Sequence, residues 1–275
     1  MKTTKHLNKT KSTLSSLYKG LFMMALAFTL ASCSSDDDDN GGTPTPEPEA
    51  KGTVNLNLTH VWGPSGSNSP ELQLNTELTH PGTGDTLTLT MYKYYVSNVK
   101  LKKDGGGEWV EPESYRIADA QDNALVTLNI GDVPAGNYTG MKFTIGVDAE
   151  RNTSGAQEGA LSPVNGMFWD WNTGYIFIKV EGESPHQTGH SPSFAYHIGG
   201  FEGDNNAIRT VDFDFGSTMT ITNNGTSNVN MYVNAARIWH GGLKIEDLGH
   251  IHMPGARAVQ IADNFQFAFM LDGIN

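Results

Sequence analysis

Thr53-Val54-Asn55-Leu56-Asn57-Leu58-Thr59-His60 alternates polar and apolar side chains with a period of two. That period is the mark of a strand with one buried and one wet face. The same reading recurs along the chain. Leu87, Leu89 and Met91 alternate with threonines. Met141, Phe143, Ile145 and Val147 alternate with small or polar residues. Val211, Phe213 and Phe215 flank Asp212 and Asp214, and Val229, Met231 and Val233 flank Asn230 and Tyr232. Turn chemistry separates these runs at Asp104-Gly105-Gly106-Gly107, Pro134-Ala135-Gly136-Asn137 and Asn223-Asn224-Gly225. Helical periodicity is scarce, and Ala258 to Phe269 predicts one short helix near the C-terminus. The expected fold is all-β: an antiparallel, Greek-key-like β-sandwich with long loops and that single helix.

The expected domain organisation follows from the N-terminal 50 residues. Residues 1–32 carry five lysines and no acid, then the apolar run Leu21 to Leu30, which is too short to span a bilayer. Leu30-Ala31-Ser32-Cys33 has the form of a lipobox, which makes residues 1–32 a lipoprotein signal peptide and Cys33 the lipidated first residue. Residues 33–50 read as an acidic, Pro-rich linker. Its Asp36-Asp37-Asp38-Asp39 run resembles a surface-export signal of outer-membrane lipoproteins. The expected location is the outer membrane, surface-exposed, with a periplasm-facing chain as the alternative. Residues 51–275 are then one folded domain.

Composition excludes several classes of function. With 18 Lys+Arg against 30 Asp+Glu the net charge is −12, and the excess of acid lies beyond the signal. Such a surface repels phosphate backbones, so no nucleic-acid partner is expected. The one Cys excludes a disulfide framework and multi-Cys metal sites. No phosphate-binding loop, GxSxG or HExxH occurs. The acid pairs Asp212/Asp214 and Glu246/Asp247 read as solvated, and Asp148 as an acid bracing a loop.

The remaining chemistry rests on His, Met and Trp. His60 shares the parity of Val54, Leu56 and Leu58, so its ring ends an inward-facing row; read alone, it is a core histidine. His197 sits at a strand end in Tyr196-His197-Ile198-Gly199-Gly200. His250-Ile251-His252-Met253 offers two imidazoles and a thioether, donors that suit a soft metal such as Cu(I), with Zn or Cu(II) next. Met167-Phe168-Trp169-Asp170-Trp171 places two indoles on one face if it is extended. Core packing, a stacking platform for sugar rings, and a redox-modified Trp beside a metal are all compatible with it.

At this point the chain resembles the MbnP-like copper-binding family. The resemblance runs in order through Thr59-His60-Val61, Lys93 to Val99, Val133 to Tyr138, Phe143 to Asp148, Gly155 to Leu161, Gly166 to Trp171, Gly174 to Phe177, Tyr196 to Gly200 and Ile261 to Asn264. It implies that Trp169, the first Trp of the WxW motif, is oxidised to kynurenine by a dihaem cytochrome c peroxidase/MauG-like partner. It further implies one copper, as Cu(I), held by His60, His197 and the modified Trp169. His252 and Met253 are further ligand candidates, and Trp171 and Met167 would pack against the site. On this reading the protein is not an enzyme but a copper binder in acquisition or homeostasis. The alternative is a surface lipoprotein that binds glycans or acts structurally through Trp169 and Trp171.

Overall fold

The computed structural model describes residues 49–155, 157–170, 173–188 and 191–275. The expected signal peptide, Cys33 and nearly all of the expected linker lie outside the described residues, as does Trp171.

The described chain is built mainly from strands, as the alternation predicts. In order they are β1 (Lys51–Val61), β2 (Glu77–Thr79), β3 (Thr86–Lys103), β4 (Glu108–Val110), β5 (Tyr115–Asp119), β6 (Leu125–Pro134) and β7 (Gly136–Ile145). There follow β8 (Phe168–Asp170), β9 (Gly174–Tyr175), β10 (Ile178–Glu183), β11 (Ser193–Ile198), β12 (Arg209–Ile221), β13 (Thr226–Asn234) and β14 (Phe269–Ile274). Three short α-helices interrupt them: α1 (Ala149–Thr153), α2 (Ile245–Leu248) and α3 (Ala256–Gln266).

One sheet has the order β14-β13-β1-β6. The larger has β11-β10-β3-β7-β12, with β2, β4 and β5 also paired to β3, and β8 and β9 form a separate hairpin. The pairing is antiparallel throughout except between β1 and β13, which run parallel with Val54 beside Ser227 and His60 beside Val233. That pair departs from the expected all-antiparallel arrangement, and the alternation cannot reveal it, because parity fixes the face of a residue and not the direction of its neighbour.

The inward parity holds. Val54, Leu56 and Leu58 are sealed from solvent, and so are Tyr92 and Tyr94 of β3 on the facing sheet. Their partners on β1, Asn55 and Asn57, face outward and bond across strands to Asn228, Asn230, Asn129 and Thr127. The strand read up to Val147 ends at Ile145, because Gly146 turns at φ 112°, where a Cβ would sit 2.8 Å from the Phe177 ring. Asp148 just beyond it braces α1, as read. It accepts from Arg151 N at 3.1 Å, from Asn98 Nδ2 at 3.2 Å and from the Tyr115 hydroxyl.

The expected C-terminal helix is α3. It buries Ala258, Ile261, Ala262 and Phe265, and the Phe265 ring meets Tyr94 edge-on at 5.0 Å. It stops at Gln266, and Phe269, expected as its last apolar residue, instead opens the edge strand β14.

Candidate metal centre

β11 is an edge strand, and an edge leaves a row of backbone groups to be satisfied. The segment around Ile251 fills part of it. His197 N donates to Ile251 O at 2.8 Å, and Ile251 N donates to Ala195 O at 2.9 Å, so Ile251 lies parallel beside Tyr196. Tyr196 and Ile251 are both buried. Parity then turns the residues next to them the other way, onto the outer face. His197 and His252 meet there, Nδ1 to Nδ1 at 3.4 Å with ring centroids 4.9 Å apart. His250, two residues before His252, stacks on it with centroids 5.5 Å apart and planes 16° apart.

The other nitrogen of His197 is also engaged. Nε2 lies 2.8 Å from Glu181 Oε1 on the neighbouring strand β10. Burial lowers the His197 pKa from its ordinary value, against the pull of the Glu181 carboxylate. Burial raises the Glu181 carboxyl, but the bond from His197 and the nearby Lys179 outweigh it and leave that group below the usual range.

Trp169 arrives from the β8–β9 hairpin and lands on Gly199, two residues after His197. A Cβ at Gly199 would stand 2.7 Å from Trp169 Cζ3 and 2.5 Å from Tyr175 O, so only a bare backbone admits the indole here. Trp169 Nε1 is buried and has no hydrogen-bond partner among the described residues. Such an orphan costs about 1–3 kcal/mol. The hairpin is held by Asn152, whose Oδ1 accepts from Tyr175 N at 2.9 Å while Nδ2 donates to Val147 O at 2.6 Å. Gly199→Val should displace the indole, shift the tryptophan emission and cost roughly 1–3 kcal/mol in urea unfolding. Unchanged emission and stability would show that the ring does not rest there.

His60 is corrected. It sits inside, its ring edge-on to Tyr92 at 5.4 Å and Tyr94 at 5.7 Å. Nδ1 lies 2.7 Å from Ala124 O and Nε2 3.0 Å from Tyr94 Oη, so neither nitrogen is free. The inner row Tyr92–Val180–Tyr196 faces His60, whereas His197 stands one residue on, in the outer row Lys93–Lys179–His197. The larger sheet therefore separates the two histidines, and no single ion reaches both. Met167 is fully buried in the hydrophobic core, and Met253 is 69% exposed.

The donor set fits copper in part. Two nitrogens bound to one ion at about 2.0 Å in a tetrahedral arrangement stand about 3.3 Å apart, close to the separation seen. Imidazole suits both copper oxidation states. Among the described residues no group of three or more His, Cys, Asp and Glu side chains is arranged to hold a metal ion.

A family model described as MbnP matches residues 51–254, a span that contains Trp169, Glu181, His197, His250, His252 and Met253. Among solved structures the chain is similar to MbnP from Methylosinus trichosporium, at 17% identity and a TM-score of 0.45, over 66% of this chain and 75% of that one. No curated protein matches the chain.

Proposed function

Since the chain belongs to the MbnP family, as the match over residues 51–254 shows, we propose that it is a lipid-anchored, extracytoplasmic copper-binding protein serving copper acquisition or homeostasis. The observation that carries this reading is the His197–His252 pair, two imidazoles facing each other through Nδ1 at 3.4 Å on the outer face of a domain that contains no cysteine. His250 and the exposed thioether of Met253 lie on the same short segment and add soft donors suited to Cu(I).

Trp169 supplies what two imidazoles lack. An intact indole N–H only donates. Oxidation opens the ring between C2 and C3 with one oxygen added at each carbon, and hydrolysis then removes C2 as formate. The kynurenine left behind carries an aryl amine and a ketone, both with lone pairs for a metal. A dihaem cytochrome c peroxidase/MauG-like partner, using peroxide as the oxygen source, is the proposed oxidant. The chain is its substrate and not itself an enzyme. Cys33 and the acidic run after it would hold the domain at the outer membrane, on the cell surface.

Mass spectrometry of the protein purified from its own cells tests this. The peptide holding Trp169 should have gained one oxygen and lost one carbon relative to its sequence, and the protein should carry copper. Copper-loaded protein with an unmodified Trp169 would contradict the ligand assignment, and protein without copper would contradict the function.

A further inference from the structure

The Glu181 carboxylate stands on the outer face of the larger sheet, one strand in from His197. Its Oε1 lies 2.8 Å from His197 Nε2 and 3.5 Å from Lys179 Nζ. The Glu181 side chain is 31% exposed and that of His197 only 17%, so the contact is partly shielded from water. Lys179 Nζ also donates to Gly166 O at 3.2 Å, and Lys93 Nζ, in register with it, donates to Asn165 O at 3.3 Å. Both carbonyls belong to the turn that leads into Phe168 and Trp169. One carboxylate thus touches the imidazole directly and joins the Trp169 turn through an ammonium.

An ionised carboxylate only accepts, so the nitrogen facing it must carry a proton. In a neutral imidazole that leaves the other nitrogen with its lone pair. Here the other nitrogen is Nδ1, the atom 3.4 Å from His252 Nδ1. We propose that Glu181 is the positioning residue of this pair: it keeps the His197 proton on Nε2 and turns the Nδ1 lone pair toward an ion shared with His252. The proposal rests on the copper reading for the identity of that ion. Outer partners of this kind fix both ring orientation and tautomer, and their loss weakens metal binding by about 10–100-fold.

Nitrogen-15 NMR of the metal-free full chain, and Cu(I) competition against a chromogenic chelator, test it in wild type and Glu181→Gln. The wild type should show His197 protonated at Nε2. In Glu181→Gln, whose amide both donates and accepts, the Nδ1–H form should grow, and Cu(I) affinity should fall about 10–100-fold with an unchanged urea midpoint. Glu183→Gln, on the same strand and exposed, should change none of the three. A wild-type His197 protonated at Nδ1, or a Glu181→Gln chain with tautomer and affinity unaltered, overturns the proposal. So does a lowered urea midpoint with the tautomer kept, which would mark a merely structural contact. The tautomer is read without metal, so a wild type with the expected tautomer that takes up no Cu(I) overturns the copper reading instead.

Discussion

A chain carrying His197→Ala and His252→Ala should take up no Cu(I) at concentrations that fill the wild-type protein. The two rings face each other through Nδ1, and the double variant removes both of these nitrogens. Losing an outer partner of a ligand costs about 10–100-fold in affinity, and losing the ligands themselves must exceed that. Stability should fall by only about 0.5–1.5 kcal/mol, because His252 is exposed while His197, 17% exposed, loses its bond to Glu181. His60→Gln should do the reverse, leaving Cu(I) affinity intact in the folded protein while lowering its urea midpoint. Copper titration beside urea unfolding separates the two effects. Full uptake by the double variant would remove the site from this face of the sheet.

Acid should unfold the protein through His60. Burial pushes its pKa down to about 4 from the ordinary 6.5, against the bond to the Ala124 carbonyl and the charge of Asp119. The unfolded chain therefore binds a proton that the folded chain refuses. Stability from this residue is whole above about pH 6.5 and drains away as the pH falls to about 4, a loss on the order of 3 kcal/mol. His80, buried against Trp62 and Trp239, is also pushed down and adds in the same direction. The urea midpoint of the wild type should fall steeply between pH 7 and pH 4.5, and that of His60→Gln should fall less. Parallel pH profiles for the two would show that His60 is not held neutral.

Parity was the most legible signal in the sequence. Val54, Leu56 and Leu58 point inward as the period of two requires, and His60 follows them to a place where both its nitrogens are already bonded. That strand-based reading, a core histidine, agrees with the structure, which places His60 apart from the His197–His252 pair. The meeting of His197 with His252 was not legible. It depends on Ile251 docking against the exposed edge of β11, a contact between residues more than fifty positions apart that no local pattern announces. Glu181 was missed for the same reason, since only strand pairing sets it beside His197. Gly199 did carry a signal, a glycine beside the strand end, but what needs the space is the Trp169 ring from a distant hairpin. The direction of β13 beside β1, and β14 after the helix, were likewise settled by packing.

Anomalous scattering at the copper edge, from crystals of the native copper-loaded protein, tests the central claim most directly. The account requires one peak on the outer face of the larger sheet, bonded to His197 Nδ1 and His252 Nδ1 and next to residue 169. A peak in the core beside His60, or a copper bound away from both histidines, would contradict it.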